Sequence, residues 1–156
     1  MIMAFTLKVS AFLIGGEKLE NLTTKELLRS KEEKRILTGK ISGIEDEYYK
    51  LKGEKISCAI VWYGGIKVLI PCTHLGIEKI NKSMIRGMLG AEIDFIVIEI
   101  DSTSNIAIAS RKDAMILRSQ IEFQKLKEND VVRVRILAVG VKHIIVELYG
   151  KEIIIK

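Results

Sequence analysis

Ile36-Leu37-Thr38-Gly39-Lys40-Ile41-Ser42-Gly43-Ile44, Ile66-Lys67-Val68-Leu69-Ile70-Pro71, Phe95-Ile96-Val97-Ile98-Glu99-Ile100-Asp101 and Ile106-Ala107-Ile108-Ala109-Ser110-Arg111-Lys112 are short runs rich in Ile and Val. Together with the apolar run that turns at Tyr63-Gly64-Gly65, they read as five strands over residues 35–112, in the order of a small closed β-barrel. The paired glycines signal a tight hairpin, because glycine reaches positive φ at little steric cost. Pro71, the single proline, marks the end of the third strand, where a missing amide proton is tolerated.

Between the third and fourth strands, Ile77, Ile80, Met84, Ile85, Met88 and Leu89 fall at roughly helical spacing. A short helix plugging the barrel end fits that spacing, and such a plug belongs to the five-stranded OB architecture. Upstream, Phe5, Leu7, Val9, Ala11 and Leu13 alternate within residues 4–14, which suggests a half-buried strand ended by Gly15-Gly16. Thr23 and Glu26 then form a capping-box helix start that leads into the barrel, so residues 1–34 read as a strand-and-helix arm.

Ser110 and Asp113 give a second capping signal, with Ala114, Leu117 and Ile121 on one face of a connecting helix over residues 113–127. From residue 128 the pattern restarts: strands are expected over 130–137, 143–148 and 152–155, with Tyr149-Gly150-Lys151 at a turn. Residues 128–156 thus look like the first three strands of a second, incomplete unit. The fold class expected is mainly β: a five-stranded OB-like barrel, an N-terminal arm, a connecting helix and an incomplete second OB-like meander. A three-stranded meander leaves unpaired edges. Two coverings are expected of it: the strand at 4–14, burying Ile144, Val146, Ile153 and Ile155, or self-association.

The chain has 156 residues, 48% of them apolar, enough for one sizeable core plus an appended unit and too apolar for intrinsic disorder. Lys+Arg number 25 against Asp+Glu 20, a net of +5 that weakly favours an anionic partner. Two cysteines imply no disulfide framework, and the N-terminus does not read as a signal peptide, so a cytoplasmic location is expected. Lys8 interrupts the early apolar run, which leaves no stretch of about 20 apolar residues for a membrane span.

The glycine in the first strand and the Ser110-Arg111-Lys112 ending resemble the RNA-binding repeat of ribosomal small-subunit protein S-one. Gly39 and Ile41 match the family's first strand. The resemblance implies single-stranded RNA binding on a basic OB face. It also exposes departures: the family's two stacking aromatics are replaced by Ser57 and Ile60, and its third-strand histidine by Pro71. In the second unit Lys142 and Ile145 stand at the aromatic positions and Lys156 at the histidine. Trp62 and Tyr63, or Tyr48 and Tyr49, are the aromatics left to substitute as stackers, against a reading as core, rim or loop packing.

The candidate nucleic-acid-binding residues are therefore Lys40, Trp62, Tyr63, Lys67, Arg111, Lys112, Arg118, Arg133, Arg135 and Lys142. The bland reading of the cations is solvated surface. Degenerate end repeats of the same ribosomal protein look more like ribosome-docking units, and their third strand also tends to end in Ile-Pro, as Ile70-Pro71 does. A protein-interaction module is the alternative function. Short chains of this type also occur among phage and prophage genes, which extends the alternative to a role in phage assembly.

Cys58, Cys72 and His74 lack zinc-ligand spacing and a fourth ligand. No nucleophilic triad, phosphate loop or dinucleotide fingerprint is present, so a non-enzymatic protein without cofactor or metal is expected.

Overall fold

The computed structural model describes residues 22–49, 54–76 and 82–156. The expected strand over residues 4–14, and its pairing with the C-terminal meander, lie outside the described residues. Residues 22–33 form a helix, α1. The strands β1 (Leu37–Tyr49), β2 (Glu54–Tyr63), β3 (Ile66–Pro71), β4 (Glu92–Asp101) and β5 (Ile106–Ser110) follow, with a short helix α2 (Lys82–Gly87) before β4.

These strands form a mixed five-stranded sheet in the order β1-β2-β3-β5-β4, and β4 pairs back onto β1, so the pairings run in a ring. All pairs are antiparallel except β3–β5, which the α2 crossover makes parallel. Alternation decides which side chains the ring encloses. Ile41, Ala59, Val61, Val68, Ile70, Ile93, Phe95, Val97, Ala107 and Ala109 are all buried in one apolar cluster. A side chain at Gly39 would put its Cβ 2.5 Å from a Val61 methyl, so only glycine lets β1 lie this close to β2.

Helices close the two ends. Leu27 of α1 is fully buried in the same cluster, and Ser30 Oγ donates to the Arg35 carbonyl at 2.7 Å while accepting from the Val97 amide at 3.0 Å. α1 thus leads into β1 through a left-handed residue, Lys34. Ile85 and Met88 enter the core from α2 and the turn after it, the plug that helical spacing predicts.

The fifth strand ends at Ser110, two residues earlier than its sequence suggests. Ser110 caps α3 (Arg111–Ile121), its hydroxyl accepting from the Asp113 amide at 3.1 Å. β6 (Arg135–Val139), β7 (Ile144–Leu148) and β8 (Lys151–Ile155) then form a three-stranded antiparallel meander. β6 starts five residues later than expected. Among the described residues the meander packs no second core: Val146 is buried, but Ile144, Ile153 and Ile155 are 36%, 40% and 50% exposed. Instead Leu137, with Ala138 and Ile145 packed beside it, joins the core of the larger sheet.

The turn that joins β7 to β8 seats the meander on α3. Tyr149 and Gly150 both have positive φ, and a Cβ on Gly150 would lie 2.0 Å from the Met115 carbonyl oxygen. Gly65 has a similar φ, +87°, but open space around it. Gly65→Ala should therefore cost only the backbone strain, roughly 1 kcal/mol, whereas Gly150→Ala adds a backbone collision and should cost clearly more, roughly 3 kcal/mol. Urea midpoints of the two variants check this; equal losses would mean that the turn does not press on α3.

Candidate nucleic-acid interface

The ring of strands sorts the predicted site residues by alternation. Lys40 lies between the inward positions 39 and 41 of β1, Trp62 follows the enclosed Val61 on β2, and Lys67 precedes the enclosed Val68 on β3. Trp62 pairs directly with Lys67 across the hairpin. These three side chains therefore share the outer face of β1–β2–β3. Trp62 is 59% exposed, and Lys40 is exposed with no hydrogen-bond or ion-pair partner among the described residues. Lys67 is tied to Glu45 and only 19% exposed. Next to this cluster the same face turns apolar, with Cys58, Ile60 and Leu69 buried together.

Tyr63 faces elsewhere. Its ring meets Phe95 edge-on, with centroids 6.0 Å apart, and its hydroxyl donates to Glu26 Oε2 of α1 at 2.9 Å. Burial, reinforced by the hydrogen bond and charge of Glu26, pushes its pKa up to about 12 against a weaker opposing effect of Arg35. A ring held this way is a packing element, which corrects its reading as a stacker. For Tyr48 and Tyr49 only the backbone, within β1, is described.

Arg111 is the second correction. It is the first residue of α3 rather than the tip of β5, and it is 0% exposed. Its guanidinium donates to the Leu75 carbonyl at 2.7 Å, to Glu147 Oε2 at 2.6 Å and to Glu152 Oε1 at 2.9 Å. No phosphate reaches it. Lys112, next along α3, is exposed.

Arg118 and Arg135 are likewise committed inside the molecule, around Asp94. This carboxylate is 1% exposed; it accepts from Thr38 Oγ1 at 2.7 Å, from Arg118 Nε at 2.5 Å and from Arg135 at 2.7 Å. Arg118 also pairs with Glu122, and Arg135 with Glu92 at 3.5 Å. Burial by itself would raise the Asp94 pKa, but the hydrogen bonds from Thr38, Arg118 and Arg135 and the charge of Arg135 outweigh it, so the net value lies below the usual carboxylate range. Burial opposes the charge of Arg118, yet the bonds to Asp94 and Glu122 hold it more firmly protonated than a free arginine.

Arg133 is exposed at the rim of this same pocket, which Asp94, Arg118, Arg135, Glu147 and Tyr149 also line. Lys142 is exposed between β6 and β7. The candidates thus separate into an outer-face cluster of Lys40, Trp62 and Lys67, an internal ion-pair seam of Arg111, Arg118 and Arg135, and the exposed Lys112, Arg133 and Lys142.

Asp94 and Glu147 are absent from the sequence-derived candidates. The signal available for Asp94 was a lone carboxylate between Ile93 and Phe95 in an otherwise apolar strand, which demands a buried partner. Glu45 and Asp46 lie in β1, where Asp46 accepts from Ser57 Oγ at 2.8 Å. Cys58 is a buried strand residue, and no group of three or more metal-ligating side chains occurs among the described residues. No helix among them is long and apolar enough to cross a membrane. No protein-family model matches the chain, and no curated protein matches it in sequence.

The Asp94 pair supplies a pH dependence. Because the folded pKa lies below the unfolded one, the stabilisation is fully present above the ordinary carboxylate value of 3.8 and is lost as pH falls through the lowered folded value. Asp94→Asn should lower stability at pH 7 by roughly 2 kcal/mol, a figure discounted because both arginines keep access to water. It should also flatten the fall of stability below the ordinary carboxylate pKa. Urea denaturation from neutral to acid pH measures both, and an unchanged acid limb would remove Asp94 as its source.

Proposed function

We propose that the ring of five strands is an OB-like barrel and that its outer β1–β2–β3 face binds single-stranded RNA or other single-stranded nucleic acid, without catalysis and with little sequence preference. The observation that carries this reading is Trp62, a 59% exposed indole on a strand, paired with Lys67 and flanked by Lys40, which has no partner among the described residues. An exposed indole costs solubility unless something stacks on it, and base stacking is sequence-tolerant because every base has a π-face. Lys40 supplies a phosphate contact at once; Lys67 supplies one when phosphate displaces Glu45. Lys112, Arg133 and Lys142 add diffuse positive potential rather than a defined groove.

A second reading, an OB-like protein-interaction module of the ribosome-docking or phage-assembly kind, draws support from a different observation. Three of the arginines that an RNA face would use are held in internal ion pairs, and the meander exposes a row of aliphatic side chains instead.

Titration of a labelled single-stranded RNA at two salt concentrations separates the readings. With two or three phosphate contacts, log affinity should fall with log salt at a slope of roughly 1.5 to 2. Trp62→Ala should weaken binding roughly 5- to 150-fold, the loss of one stacked base, while leaving thermal stability unchanged because the indole is exposed. Binding weaker than about millimolar at low salt, or a Trp62→Ala variant that binds as the parent does, would leave the interaction reading standing.

A further inference from the structure

We propose that the chain forms a two-fold dimer in which β8 pairs antiparallel with the β8 of a second copy, centred on Ile154, to make one continuous six-stranded sheet. This does not depend on the nucleic-acid reading. Among the described residues β8 pairs with β7 alone, so its far edge carries a row of backbone groups that no described strand pairs. The opposite edge of the meander is not free in the same sense, since β6 lies beside β4 and α2 and sends Leu137 into the core.

The composition of β8 is what natural edge strands avoid. Ile153, Ile154 and Ile155 are 40%, 61% and 50% exposed, so side chains on both faces of the strand meet water. No proline or bulge interrupts Lys151–Ile155, and no charge lies among the three isoleucines. A run of β-branched residues exposed to this degree is suited to strand addition.

The identity of the added strand follows from the charges. In an antiparallel pair centred on Ile154, Ile154 faces itself, Ile153 faces Ile155, and Glu152 faces Lys156 at both ends. Every cross-strand pair is then aliphatic or oppositely charged. Shifting the register by one residue puts Lys151 against Lys156 and Glu152 against Ile155, which loses both matches. Glu152 can serve this contact without leaving its place: Oε1 holds Arg111 at 2.9 Å while the side chain remains 23% exposed. A self-complementary edge of this kind gives an isologous, closed pair rather than a filament, because each copy offers one such strand.

Sedimentation equilibrium of the full chain over about 5 to 200 µM should reveal a monomer–dimer equilibrium; a monomer throughout overturns the proposal. Ile154→Lys sets two ammonium groups face to face at the two-fold axis and should weaken dimerisation at least about tenfold. Lys156→Glu, which replaces both end pairs by like charges without touching an apolar residue, should weaken it several-fold at low salt. Ile136→Lys, at a 58% exposed position on β6, should leave the dimer intact. Should it dissociate the dimer as Ile154→Lys does, the sheet face rather than the edge would be the contact and the proposal would fail.

The register has its own test. Directly opposed residues lie about 4.5 to 5.5 Å apart at Cα, within disulfide reach. In a Cys72→Ser background, Ile154→Cys should cross-link under mild oxidation faster than Ile153→Cys or Ile155→Cys. Equal rates at the three positions would exclude the Ile154-centred pairing.

Discussion

A single buried guanidinium joins the two sheets of this protein. Arg111 starts α3, reaches the Leu75 carbonyl after β3, and holds Glu147 on β7 and Glu152 on β8. Removing such a group from water is expensive, and the cost is offset only when nearly all its donors are satisfied in good geometry. Arginine suits the position because its planar fork addresses several acceptors at once, which an ammonium cannot do. Its Nε has no partner, so the offset is incomplete, and the surrounding packing of Gly150 on α3 and Leu137 in the main core carries the remainder. Asp94 extends the seam, drawing Arg118 from α3 and Arg135 from β6 onto one carboxylate of β4.

This seam explains why the net charge of +5 is a poor guide to the surface. Arg111, Arg118 and Arg135 neutralise acids inside the molecule, and Lys67 is held by Glu45. Among the described residues, the outer face of β1–β2–β3 then offers Lys40 without an ion-pair partner beside the exposed indole of Trp62. On the proposed reading, such a surface would derive most of its affinity from stacking and little from a continuous electrostatic groove.

Local patterns made the five main strands legible: apolar alternation, the Gly64-Gly65 turn, Pro71 at a strand end and helical spacing before β4. The cap at Ser110 was equally legible, and it contradicted the extension of the fifth strand to Lys112. A serine that accepts from the amide three residues on must end its strand, so Arg111 belongs to the helix and turns inward. The destination of that side chain was not legible, because its acidic partners lie 36 and 41 residues away, beyond any local period. The same holds for Tyr63, whose adjacency to Trp62 suggested a shared role. A strand sends neighbours to opposite faces, and Glu26 and Phe95 were waiting on the other side.

The seam also determines which edge of the meander is left over. Directional ion pairs add a fixed orientation to the apolar contact between the two sheets. Arg135 fixes β6 against Asp94, and Arg111 fixes β7 and β8 through one carboxylate each. With three strands anchored in this order, β6 is pressed against the larger sheet and β8 faces outward with its isoleucines. A meander docked in the reverse sense would have hidden β8 and exposed β6. The charged seam, costly as it is in stability, therefore selects the surface that the molecule offers to another chain.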